Sequence, residues 1–232
     1  MSFLQRYTSD LFSLLFPELC NACGVSLYMG EKDLCTKCLA DLPFTDFHLN
    51  TDNPAARLLW GRVPIAAITS LFYFSKHTKV QNMMHQLKYN GKTELGVKMG
   101  QMLGKQLKLS NFFGDLTVIV PVPLHERKLR VRGYNQSECI ARGIEQELGL
   151  ELWPDLLTRV KATASQTKKN RYRRYENMKE VFCVDKQKDL SSQHILLVDD
   201  VITTGATLEA CALSLLENGL KKLSIATIAF AQ

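Results

Sequence analysis

The sequence predicts an α/β fold, a parallel sheet flanked by helices, preceded by a small module built on paired cysteines. Two observations carry that expectation. Short apolar runs over 65–74, 116–122, 194–198 and 223–230 alternate with segments of helical periodicity over 77–88, 93–109, 135–148 and 205–218. Alternation of this kind implies parallel strands crossed over by helices. Ahead of them, four of the seven cysteines stand in two Cys-x-x-Cys pairs. A chain of 232 residues suits one domain of ordinary size plus a small appendage. We place the boundary between 1–55 and 56–232. With 46% hydrophobic and 22% charged residues, the chain can bury a core, which excludes a disordered class. The net charge of +6 favours anionic ligands: nucleotides, sugar phosphates, nucleic acid.

Along the chain, apolar residues at 3, 4, 7, 11, 12, 14 and 15 recur near helical spacing, so 1–16 reads as a short amphipathic helix that docks on the body or a partner. Its apolar patch is too short for an integral membrane segment, and no targeting signal stands out. A cytoplasmic protein is expected. Cys20/Cys23 and Cys35/Cys38 follow, separated by eleven residues. An odd cysteine total without a secretory signal argues against a disulfide framework. Four thiolates at this spacing can close a tetrahedral structural zinc site, with Gly24 suited to a tight knuckle; a redox pair is the alternative. Pro43, Asn50, Asp52, Asn53 and Pro54 mark a polar linker. Residues 65–74 read as a strand or strand pair. Two helices, 77–88 and 93–109, are broken at Asn90-Gly91. The uncharged run 116–122 suits a buried parallel strand. Helix 135–148 closes at Gly149, and helix 205–218 closes at Asn218-Gly219.

In sheets of this type ligands bind beyond the carboxyl ends of the strands. Two loops are placed there. In Ile195-Leu196-Leu197-Val198-Asp199-Asp200-Val201-Ile202-Thr203-Thr204-Gly205-Ala206-Thr207, four apolar residues make the strand. Two carboxylates sit at its carboxyl end, and a loop of small and hydroxyl residues turns into a helix. A helix start offers unpaired N–H groups and partial positive charge, a ready anion site. Gly205 lets the backbone approach a phosphate. Thr203, Thr204 and Thr207 add hydroxyls, and Asp199 and Asp200 can accept from a sugar's vicinal hydroxyls. The bland alternative is a strand–turn–helix with an acidic cap. The second loop, 120–136, bends at Pro121 and Pro123 and delivers Arg127, Lys128, Arg130 and Arg132. Arginine forks suit phosphate oxygens. A third basic stretch holds Arg159, Lys161, Lys168, Lys169, Arg171, Arg173 and Arg174, with Tyr172 and Tyr175 interleaved. It reads either as a mobile flap over a pyrophosphate or as a single-stranded nucleic-acid patch.

The segment 195–207 resembles the 5-phosphoribosyl-1-pyrophosphate (PRPP) signature of type I phosphoribosyltransferases. With the cysteine quartet the whole chain looks like a member of the ComF family. Further residues carrying the likeness are Leu87-Lys88-Tyr89-Asn90-Gly91, Pro121-Val122-Pro123-Leu124, Arg132-Gly133-Tyr134-Asn135-Gln136, Thr163-x-x-Gln166 and Arg174-x-x-Asn177. Lys169 stands where the family usually has Leu. The resemblance implies a type I phosphoribosyltransferase-like sheet with a four-cysteine zinc module. Thr203, Thr204, Gly205, Ala206 and Thr207 would hold the 5-phosphate, and Asp199 and Asp200 the ribose. The turn at Pro123 and Leu124, with Arg127, Lys128 and Arg132, would hold pyrophosphate. It further implies a magnesium-dependent displacement of pyrophosphate at the anomeric carbon by an unknown acceptor. Some members are tied to competence and uptake of single-stranded DNA, so a non-catalytic PRPP sensor, or a component binding single-stranded DNA or competence proteins, is the rival expectation. Members are also labelled amidophosphoribosyltransferases. This chain has no room for a glutaminase domain, so glutamine-driven amide transfer by it alone is not expected.

Overall fold

A computed structural model of the chain describes residues 17–159 and 182–231. The helix expected over 1–16 and the basic stretch beyond Arg159, including Tyr172 and Tyr175, lie outside the described residues. The main sheet is wholly parallel. It comprises β1 (Ala67–Phe74), β2 (Val118–Pro121), β3 (Glu151–Leu152), β6 (His194–Ile202) and β7 (Lys222–Ala231), in the order β1-β7-β6-β2-β3. A separate antiparallel ribbon pairs β4 (Leu157–Arg159) with β5 (Phe182–Val184).

The continuous apolar runs follow from burial on both faces. Leu196 and Val198 of β6 join one core; Ile195 and Leu197 join the other. The first core is covered by α3 (Lys79–Tyr89), α4 (Thr93–Leu109) and α6 (Gln136–Leu148). The second is covered by α7 (Ala206–Glu217) and by residues of the 47–63 segment. Helices α4 and α6 meet backbone to backbone. A Cβ on Gly100 would stand 2.0 Å from the Ile140 carbonyl oxygen, and one on Gly143 would stand 2.1 Å from that of Val97. No larger residue fits at that crossing.

The four-cysteine module is packed onto the first core. Leu34, Cys38 and Leu42 share it with Leu71, Met83 and Leu95. The chain then passes along β1, where the N–H of Thr45 donates to Leu71 O at 3.0 Å and that of Tyr73 to Pro43 O at 2.9 Å.

Three local expectations are corrected. The stretch around Asn50–Asn53, read as a linker, is folded onto the sheet. Phe47 packs edge-on against Tyr73 and Phe230, and the buried Asn53 amide donates to the carbonyls of Phe47, Asn50 and Ile68. Its polar residues satisfy the backbone rather than water. The run 65–74, read as a strand or a strand pair, is the single strand β1. The segment after β2, read as a loop delivering basic residues, holds a short helix, α5 (Glu126–Arg132). His125 caps it through its Nδ1 at 3.1 Å from Arg127 N, Glu126 pairs with Arg130 at 2.7 Å, and Gly133 closes it at φ 83°. Finally, β6 continues through Asp199 and Asp200 to Ile202, because its ladder with β7 runs on to Ile202↔Phe230. The carboxylates ended the apolar pattern without ending the strand.

Candidate functional site

Strands β2 and β6 are neighbours, so the loops leaving their carboxyl ends face one cavity of about 610 Å³. Asp199, Asp200, Thr203 and Thr207 line it from β6 and α7; Pro123, Leu124, Lys128 and Arg132 line it from β2 and α5. Arg159, the first residue of the basic stretch, also reaches it, with its guanidinium 5.5 Å from the Phe182 ring. Arg127 stands apart on an adjoining hollow that shares Lys88, Tyr89, Lys128 and Arg132 with the cavity. Arg130 is committed to Glu126.

The loop into α7 is built for close approach. Gly205 caps the helix at φ 74° and brings no capping side chain of its own; the Thr204 hydroxyl accepts from Ala206 N at 3.4 Å, and the helix-start N–H groups after it are left for a ligand. A Cβ there would also come within 2.8 Å of Leu59 Cδ2. Behind the loop, Arg62 donates to Thr204 O at 2.9 Å and to Leu58 O at 2.8 Å, and pairs with the buried Glu209 of α7. Thr204, Gly205 and Ala206 therefore form the braced turn, while Thr203 and Thr207 lie on the cavity itself.

The two carboxylates are held differently. Asp200 is buried and accepts from Lys88 Nζ at 2.8 Å and Gln136 Nε2 at 2.9 Å, both at Oδ2. Arg132 donates to Gln136 Oε1 and lies 5.7 Å from the Tyr89 ring centroid. A chain of contacts thus runs from the basic helix to Asp200. Asp199 accepts from Ser137 Oγ at 2.9 Å and from Asp200 N at 2.8 Å. Burial first, and then the charge of Asp200 beside it, push the Asp199 carboxyl up to about 7, against the pull of those donors and of Lys88. A carboxyl raised in this way gains from positive charge or a hydroxyl donor brought beside it.

Lys88, Gln136, Ser137 and Arg62 were not picked out as site residues. Lys88 and Gln136 stood in motifs that carried the family likeness, but nothing local in the sequence joins residue 88 to residue 200. Ser137 and Arg62 left no sequence signal.

In the module, the four thiol sulfurs of Cys20, Cys23, Cys35 and Cys38 lie within 4.8 Å of one another, and Cys23 Sγ is 3.9 Å from Cys35 Sγ. Four sulfurs about 2.3 Å from a tetrahedral ion stand about 3.8 Å apart, so the cluster could hold a metal. Burial pushes the Cys20 thiol up, but the N–H groups of Cys35, Ala22 and Cys23 outweigh it and bring it down to about 7. Burial and the neighbouring thiols push Cys38 far up. Thiols crowded this way gain most from a shared cation. No described helix is long and apolar enough to cross a membrane.

Residues 137–232 match the phosphoribosyl transferase domain. Over 229 residues the chain is 28% identical to the DNA utilization protein YhgH of Escherichia coli (strain K12), covering 91% of this chain and 96% of that one. It is 26% identical over 209 residues to the competence protein F of Haemophilus influenzae, covering 89% and 82%. It is 31% identical over 103 residues to the competence protein ComFC of Bacillus subtilis, covering 44% and 39%. Among solved structures, it is similar to a glutamine PRPP amidotransferase from B. subtilis, with a TM-score of 0.45 and 14% identity. That match covers 62% of this chain and 30% of the other, so the chain spans under a third of its length. The adenine phosphoribosyltransferase of Leishmania tarentolae matches with a TM-score of 0.37 and 14% identity, covering 78% of this chain and 89% of that one.

Proposed function

We propose a PRPP-binding phosphoribosyltransferase acting in the cytoplasm, for a chain that matches the phosphoribosyl transferase domain over residues 137–232 and is similar over most of its length to DNA utilization and competence F proteins. The observation that supports it best is the meeting on one cavity of the Asp199–Asp200 pair, of Thr203 and Thr207 on either side of the turn at Gly205, and of the cations Lys128 and Arg132. Each matches a different part of PRPP. The α7 start with Thr203 and Thr207 takes the 5-phosphate. Asp199 and Asp200 take the ribose hydroxyls and stabilise positive charge developing on the ring. Lys128 and Arg132, with Arg159, take the pyrophosphate and the charge it gains on leaving. Ser137, Gln136 and Lys88 hold the carboxylates in place. Magnesium supplied with PRPP neutralises phosphate charge. The four-cysteine cluster holds structural zinc, with no open position for catalysis.

A second reading is favoured by the hollow beside the cavity. Arg127, Lys128 and Arg132 line it together with Tyr89 and Tyr134, and no acid does. Such a surface suits single-stranded DNA. The chain would then be a PRPP-responsive, non-catalytic component of DNA handling.

Calorimetric titration of zinc-loaded protein with PRPP and magnesium, beside Asp199→Asn/Asp200→Asn, tests the shared premise. Micromolar binding that disappears in the variant is expected; absence of binding by folded protein removes both readings of the cavity. Pyrophosphate release with candidate acceptors then separates enzyme from sensor.

A further inference from the structure

The first turn of α6 reaches both sides of the site cavity. Asn135, its cap, accepts from Ser137 N at 3.1 Å and donates to Val122 O at 3.0 Å, which ties the helix start to the chain leaving β2. From that anchored start two consecutive side chains cross to β6. Ser137 Oγ donates to Asp199 Oδ1 at 2.9 Å, and Gln136 Nε2 donates to Asp200 Oδ2 at 2.9 Å. Gln136 is buried and has a second partner on the opposite side, because its Oε1 accepts from Arg132 Nη1 of α5. Among the described residues, neither Ser137 nor Lys88 makes such a bond to α5, although both line the cavity. Gln136 is therefore the side chain that joins the basic helix to the carboxylate pair.

A carboxamide has an acceptor end and a donor end, and here each end meets the charge that suits it. Arg132 offers only N–H groups and takes the oxygen; the Asp200 carboxylate takes the NH₂ group. A flipped amide would set donor against donor at one end and acceptor against acceptor at the other. Both bonds are charge-assisted, and each polarises the amide in the sense that strengthens the other. On Asp200, Gln136 and Lys88 Nζ (2.8 Å) both bind Oδ2, which fixes the carboxylate's rotation and leaves Oδ1 for a ligand. On Arg132, one N–H group goes to Gln136 and others remain for phosphate oxygens.

We propose that Gln136 is a positioning residue that couples the pyrophosphate end of the site to the ribose end. This rests on the PRPP reading above, in which Arg132 takes pyrophosphate and Asp200 takes the ribose. Pyrophosphate bound to Arg132 holds the guanidinium still. The held guanidinium fixes the Gln136 carboxamide, and the carboxamide keeps Asp200 Oδ1 turned toward the ribose hydroxyls. Order imposed by one half of the ligand is then already in place for the other, so the two halves bind cooperatively. Linkage makes the effect reciprocal: a ribose ring seated on Asp200 tightens pyrophosphate by the same factor. Departure of pyrophosphate slackens the hold on the sugar phosphate left behind.

The test divides the donor into two probes for the full-length protein: magnesium pyrophosphate, and anhydroribitol 5-phosphate, the sugar phosphate ring without its anomeric oxygen. Calorimetry reads the affinity of the sugar probe with and without saturating magnesium pyrophosphate, and PRPP itself is titrated in parallel. In the wild type, pyrophosphate should tighten the sugar probe by about fivefold or more. In Gln136→Leu that factor should fall below about twofold. Gln136→Glu keeps an acceptor for Arg132 but sets a third carboxylate against Asp200, so it should still bind magnesium pyrophosphate and show no cooperativity. Ser137→Ala, which loosens Asp199 alone, should weaken the sugar probe and keep the factor. Repulsion between the two anionic probes is common to the wild type, Gln136→Leu and Ser137→Ala, so a difference among them reports the bridge. A wild-type factor below about twofold, a full factor in Gln136→Leu or Gln136→Glu, or an equal loss in Ser137→Ala overturns the inference alone. So does protein that binds PRPP but not the sugar probe beside pyrophosphate. Wild-type protein that fails to bind PRPP removes the reading beneath it, and this inference with it.

Discussion

Replacing Lys88 by Met removes the only cation paired with Asp200 among the described residues, at a site where the carboxylate side chain is 9% exposed and the lysine 25%. Stripping one partner from a buried pair costs roughly 3–5 kcal/mol when nothing else holds the survivor. Here Gln136 still donates at 2.9 Å and the cavity admits water, so we expect about 1–2 kcal/mol. For a chain of this size that corresponds to a melting point lower by about 3–6 °C. Urea unfolding at pH 7.5 reads the effect. Lys88→Met/Asp200→Asn, which removes the stranded charge while keeping its shape, should recover at least half of the deficit. A single variant as stable as wild type, or a double variant no better than the single, would show that the Lys88–Asp200 contact does not matter to the fold.

Gly100→Ala should destabilise by about 3 kcal/mol in chemical unfolding, despite alanine's better helix propensity, because its methyl would stand 2.0 Å from a carbonyl oxygen of α6. A neutral effect would mean that α4 and α6 can part freely. The raised carboxyl of Asp199 binds its proton more tightly in the folded chain than in the unfolded one. Ligand-free stability should therefore decline as pH rises from about 4 through about 7, and Asp199→Asn should flatten that slope. Arg62→Ala leaves the buried Glu209 without its partner and the phosphate turn unbraced. PRPP affinity should drop about tenfold although Arg62 does not line the cavity, and unaltered affinity would place the turn's rigidity elsewhere. Chelation, or Cys35→Ser, should remove the zinc proposed for the cluster and lower the melting point of the whole chain, since Leu34, Cys38 and Leu42 belong to the core of α3 and α4. A melting point unaffected by zinc loss would mean that the module folds independently.

Much of this was legible locally. The run Ile195–Val198 announces a strand buried on both faces, and the order of acids, threonines and glycine after it announces the loop. The cysteine spacing announces a cluster, which the folded chain gathers within 4.8 Å. These signals are short-range, because a strand, a helix cap and a knuckle are each made by neighbours in sequence. Where reading failed, local chemistry and tertiary use diverged. Asn53 reads as a turn residue and is a buried bracket for three carbonyls. Asp199 and Asp200 read as a strand's end and lie inside one.

The sequence by itself determined the fold class, the strand–turn–helix at 195–207 and the cysteine cluster, because periodicity and spacing encode them. Only the tertiary structure decided that Lys88 and Gln136 hold Asp200 and that Arg62 braces the loop through Glu209. Those pairings span 62 residues or more of chain for the hydrogen-bonded ones. They exist because the parallel order β1-β7-β6-β2-β3 brings the carboxyl ends of β1, β2 and β6 to one edge. No local pattern records which side chains meet there.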